Sequence, residues 1–213
     1  MTLFSKILSS LQDFVFPVFC LSCQSRIAQG MLCSSCSLDL AIADITDRCP
    51  ICFIEYSGLC AACATISSRY RQAFVIEGMG PALALVRNIR LQSAIVKNIA
   101  ALITVQLCKL SWPVPDVIIP IIQNRYDPQS IAKEIASLIP VEVSPSLGLK
   151  SFYFYKYGVG IMQRYLLSNR FIYSDKSCLI LSMQPLCSDQ KESITSELGL
   201  SYSGELYFLS FLS

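Results

Sequence analysis

The chain contains no histidine among its 213 residues, and only 15% of them are charged. The first absence removes the commonest ligand of a catalytic zinc. The second, with 53% hydrophobic residues, excludes a disordered chain or a charge-rich tail. No uninterrupted apolar run of about 20 residues is present, so no membrane-spanning helix is expected. The longest candidate, 99–122, is broken by Lys109, Pro113, Pro115 and Asp116. Residues 1–19 carry Lys6 and then Asp13 within the apolar stretch, and no small-residue cleavage site follows. A secretory signal is therefore not read there, and a cytoplasmic location is expected. No low-complexity segment occurs.

Cysteine is abundant instead. Eight of the 11 cysteines form four C-x-x-C pairs: Cys20 with Cys23, Cys33 with Cys36, Cys49 with Cys52, and Cys60 with Cys63. A C-x-x-C turn grips one face of a tetrahedral ion, and a second turn supplies the opposite face. Tandem pairs are unlike disulfide frameworks, so two zinc ions are expected. Four thiolates leave no open coordination position, which makes the zinc structural. Sequential pairing within each group is the simpler arrangement; an interleaved one stays open. Cys108, Cys178 and Cys187 stand alone in apolar surroundings and read as small buried hydrophobes.

Eight thiolates and two dications add four negative charges, taking the formal +2 to about −2. Residues 67–110 hold six basic side chains, among them Arg87, Arg90 and Lys97, against Glu77 alone. A local basic patch is expected there, not a generally basic nucleic-acid binder.

Residues 3–16 have a helical apolar period. A single helix is expected from about Pro81 to Leu107, with Leu83, Val86, Ile89, Ile95, Ile99, Leu102 and Val105 facing the core. After Trp112 strands and helices alternate: Val117–Ile122, helix Gln129–Leu138, Val141–Val143, Cys178–Leu181, helix Asp189–Leu198 and Leu206–Phe211. Such alternation predicts an α/β domain with a mainly parallel sheet. The boundary with the cysteine-rich module is placed between residues 66 and 67.

The order of features resembles the ComF/GntX family: an apolar leader ending in Phe16-Pro17-Val18-Phe19-Cys20, a double zinc ribbon, a linking helix, and a type I phosphoribosyltransferase-like domain. Residues 71–90 correspond to the family's post-ribbon strand and helix, with its basic position at Arg90. Residues 116–136 correspond to its Val-Pro-Val-Pro strand and following helix, keeping Pro120 and Gln129. Its Arg-x-x-Asn-x-x-x-Phe pattern keeps Arg164 and Phe171 but has Leu167 for asparagine. The family's phosphoribosyl-pyrophosphate loop follows an apolar strand with two carboxylates for the ribose hydroxyls. A Thr-Thr-Gly-type turn then presents backbone N–H groups to the 5′-phosphate. Here the acidic positions are Ser182 and Met183, and the turn reads Leu186, Cys187 and Ser188. Asp189 comes a turn too late and is expected to cap the helix.

The resemblance implies a cytosolic role in DNA uptake during competence, with single-stranded DNA or a protein of the uptake machinery as partner. The degenerate loop argues against catalysis; an active protein would be a phosphoribosyltransferase. Arg87, Arg90, Lys97, Lys156 and Arg164 are the candidate nucleic-acid contacts. Lys156 lies in the aromatic segment 151–158, which offers stacking faces for bases or an amphipathic strand.

Overall fold

A computed structural model describes residues 18–65, 70–78, 80–89, 93–123, 128–148, 176–198 and 205–213. The expected N-terminal helix, the aromatic segment 151–158, Arg90, Lys156 and Arg164 lie outside these residues. The cysteine-rich part comprises β1 (Val18–Phe19), β2 (Arg26–Ile27), α1 (Ser34–Leu38), β3 (Ala41–Ile42) and α2 (Ala61–Thr65). There follow β4 (Tyr70–Glu77), α3 (Gly80–Asn88), α4 (Ser93–Lys109), β5 (Val117–Ile122), α5 (Gln129–Leu138), β6 (Glu142–Val143) and β7 (Leu147–Gly148). Then come β8 (Cys178–Ser182), α6 (Ser188–Leu198) and β9 (Leu206–Leu212).

β5, β8 and β9 are runs of β-branched, leucine and aromatic residues buried almost throughout, the pattern of parallel strands covered on both faces. The seven-stranded sheet has the order β3-β4-β9-β8-β5-β6, with β7 also on β5. Every pairing in it is parallel except β3 with β4. One face packs against α3, α4 and α5, where Val86, Ile99, Ile103 and Ile135 meet Val75, Leu179 and Leu209. The other meets α6, where Leu186, Ile194 and Leu198 cover Ile119, Ile180 and Phe208. The result is an α/β chain with a mainly parallel sheet and an N-terminal cysteine-rich module.

Proline is normally kept out of interior strands, yet Pro120 pairs with Leu181 inside β5. Asp116 and Ile118 accept backbone bonds from Glu142 and Ser144, so alternate residues of β5, Pro120 included, turn their backbone toward β6 and β7. β6 pairs with 117–118 and β7 with 121–122. The missing N–H of Pro120 therefore faces the break at Ser144–Ser146. Gln129 braces that break: its Nε2 donates to the Ser144 carbonyl at 3.2 Å, and Ser146 Oγ donates to its Oε1 at 2.5 Å.

Two helices, α3 and α4, stand where one was expected. Asn88 Nδ2 donates to the Ala84 carbonyl at 2.8 Å, a side-chain competitor for the helix's own bonding. The new helix starts at Ser93, and Ile95 and Ile99 are buried as expected, but the face turns away from expectation in its last part. Val105 is 47% exposed while Ile103 is fully buried. Replacing Ile103 with alanine should cost about 2–5 kcal/mol of stability. The change Val105→Ala should stay within about 0.5 kcal/mol. Urea midpoints of the two variants check this, and equal losses would contradict the assigned face.

Candidate metal centres

Both cysteine groups repeat one local design. In each, the first C-x-x-C is a knuckle closed by backbone bonds, Gln24 N–H to the Cys20 carbonyl at 3.0 Å and Phe53 N–H to the Cys49 carbonyl at 2.9 Å. The residue after the second knuckle cysteine is left-handed, with φ 61° at Gln24 and 60° at Phe53. That conformation costs a non-glycine residue about 1–2 kcal/mol. The second C-x-x-C opens a short helix, with the sulfurs of Cys33 and Cys60 accepting from the N–H groups of Cys36 and Cys63 at 3.4 and 3.5 Å. Knuckle and helix start together present four sulfurs to one point.

The ligand atoms of Cys20, Cys23, Cys33 and Cys36 all lie within 4.8 Å of one another, as do those of Cys49, Cys52, Cys60 and Cys63. Pairing is thus sequential, and the interleaved alternative falls. The Cys23–Cys33 and Cys52–Cys60 sulfurs are each 3.6 Å apart, far beyond a disulfide bond of about 2.05 Å. A tetrahedron with metal–sulfur bonds of about 2.3 Å has edges of about 3.8 Å, so both clusters fit a four-thiolate metal.

Their electrostatics point the same way. Burial raises the Cys20 thiol, but the N–H groups of Cys23, Cys33 and Ser22 outweigh it and hold the pKa near a value of about 6. Cys49 behaves alike, at about 6, through Cys52, Cys60 and Ile51. Cys36 is pushed up to about 12, first by the Cys33 sulfur beside it. Burial, with the neighbouring sulfurs, drives Cys63 up as well. Each metal-free cluster therefore combines an acidified thiol with one that keeps its proton, and a bound cation would displace that proton.

The second cluster is fastened to the sheet by residues that no spacing rule singles out. Arg48, next to Cys49, donates from Nε to the Asp44 carbonyl at 2.9 Å and from Nη1 to the Phe53 carbonyl at 3.0 Å. Its other nitrogen pairs with Glu77 on β4 and lies 3.6 Å from Glu55. Its guanidinium carbon stands 5.1 Å from the Phe53 ring centre and 4.8 Å from that of Phe74, within cation–π range. Gln72 on β4 adds a backbone bond to the Ile51 carbonyl at 2.8 Å and a side-chain bond to the Cys52 carbonyl at 2.6 Å. Lys191 on α6 donates in turn to Gln72 Oε1. Adjacency of Arg48 to a ligand cysteine was its only visible signal.

The loop after β8 is closed upon itself. Ser182 is buried with its hydroxyl 3.0 Å from that of Ser210, and Met183 is fully buried. The Gln184 N–H donates to Gln123 Oε1 and the Cys187 N–H to Gln190 Oε1, both at 3.0 Å. Cys187 therefore occupies the N-cap of α6, with Gln190 reaching back as in a capping box. Asp189 lies inside the first turn, where it meets the positive end of the helix dipole and does not cap. Leu186 is buried, and Cys187 and Ser188 are exposed. Of the candidate nucleic-acid contacts, Arg87 and Lys97 are exposed, on α3 and α4. Cys178 is buried as expected, but Cys108 and Cys187 are exposed.

Arg48→Met should lower stability by roughly 2–3 kcal/mol, because two carbonyls and Glu77 lose a charged donor and Glu77 is only partly shielded from water. Arg48→Lys should recover little of it, since an ammonium lacks the fork and the stacking plane. Chemical denaturation of the metal-loaded variants measures both, and full rescue by lysine would contradict this geometry.

No protein-family model matches the chain, and no characterised protein does. Among solved structures, a hypoxanthine phosphoribosyltransferase from Staphylococcus aureus is similar at 17% identity, with a TM-score of 0.39. That match covers 56% of this chain and 63% of the bacterial enzyme, less than two thirds of its length.

Proposed function

We propose that the chain is a ComF-like protein with two structural zinc ions, whose α/β half resembles a phosphoribosyltransferase but transfers no phosphoribosyl group. One contrast carries this reading: the eight ligand sulfurs converge in two groups of four, while in the loop that would hold a phosphate two N–H groups, of Gln184 and Cys187, are taken by Gln123 and Gln190. An anion at a helix N-terminus needs free N–H donors, and a ribose needs acceptors that Ser182 and Met183 do not offer from buried positions. The function we assign is cytosolic handling of incoming single-stranded DNA, with Arg87 and Lys97 as exposed cations and Arg90, Lys156 and Arg164 as further contacts. No described helix is long and apolar enough to cross a membrane.

A second reading, a zinc-ribbon scaffold for a protein of the uptake machinery, is favoured by Ile54, Tyr56 and Leu59. These three stand 51%, 49% and 47% exposed beside the second cluster. A partner that co-purifies with the wild type and is lost on Ile54→Asp, with metal content intact, would select it.

Metal analysis should find about two zinc per chain, falling to about one in Cys60→Ser, and strong chelation should unfold residues 18–65. Substantially less than two in the wild type would overturn the zinc assignment. Phosphoribosyl pyrophosphate with magnesium, at millimolar concentration, should leave the melting temperature unchanged; a rise of several degrees would restore the enzyme. Single-stranded DNA should bind with an affinity that falls steeply with salt and further with Arg87→Glu. A flat salt response would end the nucleic-acid reading.

A further inference from the structure

Between the second cysteine cluster, α6 and the β4–β9 part of the sheet lies a cavity of about 500 Å³, within the range of small-molecule sites. It sits over the strands, beside the Ser182–Ser188 loop and the first turn of α6, with Pro185, Leu186 and Lys191 on its wall. Phe53, Phe74, Phe208 and Leu186 supply apolar wall, and the first two rings meet edge to face at 5.0 Å. Two cations line it: Arg48, paired with Glu77 and near Glu55, and Lys191, half-buried, with one proton on Gln72 Oε1. An ammonium has three donors. Among the described residues no carboxylate pairs with Lys191; the acid lining the cavity, Glu55, is 3.6 Å from Arg48. Burial lowers the lysine's proton affinity, and the sulfurs of Cys187 and Cys52 pull against that effect.

A charge taken partly out of water beside three aromatic rings lacks a full counterion. We propose that this cavity binds a flat aromatic acid, with its ring among Phe53, Phe74 and Phe208 and its anionic oxygen on the Lys191 ammonium. Ser210, whose hydroxyl already contacts Ser182, offers a second polar point on the wall. The competing arrangement has Lys191 balanced by the neighbouring cysteine cluster alone, and the cavity would then accept aromatic molecules without preferring acids.

Isothermal titration of the zinc-loaded full chain with 2-naphthoate and with the neutral 2-naphthylmethanol separates the two. The acid should bind at one site roughly tenfold or more tightly than the alcohol, the strength of a charge-assisted contact in a shielded site. Lys191→Met should erase that preference, with zinc content unchanged. Lys191→Glu should transfer it to 2-naphthylmethylamine. Equal affinity for acid and alcohol in the wild type overturns the proposal without recourse to any variant. So does naphthoate binding that survives Lys191→Met, or no binding at millimolar concentration. Single-stranded DNA binding is read separately and can fail or hold independently.

Discussion

Four cysteine sulfurs within 4.8 Å of one another cannot all be anions unless a cation sits among them. That constraint organises residues 18–65. Few side chains there are buried apart from the cysteines themselves, with Ala43 and Phe53 the principal exceptions. A segment with so small an apolar interior cannot offset its conformational entropy by burial alone. A metal ion held by each group would supply the difference, and the left-handed Gln24 and Phe53 mark the turns it would hold in place. Their strain persists because the knuckle bonds and the metal geometry over-determine the turn.

The second cluster passes this order on to the sheet. Phe53, at the strained knuckle position, is 3% exposed and packs on Phe74 of β4. Arg48 lies over both rings and ties the knuckle carbonyl to Glu77 at the far end of the same strand. β3, drawn from residues between the two cysteine groups, then pairs with Ile76 and Glu77. On α4, the buried Gln106 donates to the Ala43 carbonyl at 3.1 Å and the Phe74 carbonyl at 3.3 Å. The cysteine-rich module thus forms one edge of the sheet, and its loss would strip β4 of backbone and side-chain partners together.

Much of this was legible in order and little of it in contact. β5 and α5 fall on the expected residues because a β-branched run and a strong amphipathic period each report local structure. The clusters were legible because metal ligation imposes a spacing. The α3–α4 break was not, because a continuous apolar period hides a local competition at Asn88. β4 has polar residues at Arg71 and Gln72 where a core strand would be apolar, and only the family resemblance pointed to it. Arg48, Gln72 and Lys191 come from three separate parts of the chain. Their convergence is a product of the fold, so no window along the sequence contains it.

The loop after β8 is poorly suited to an anionic ligand for reasons beyond its side-chain types. Ser182 and Met183, at the end of β8, are 1% and 0% exposed. An aspartate at 183 would enter the same apolar cluster as Leu181, Leu209 and Phe211. There desolvation would raise its pKa and favour the neutral acid, which cannot serve as the required anion. An aspartate at 182 would press on the Ser210 hydroxyl from the opposite face. Freeing the N–H groups of Gln184 and Cys187 would further require removal of Gln123 and Gln190, and the latter completes the cap of α6. The strand end lies in the core, so an acidic side chain placed there costs stability before it gains a ligand.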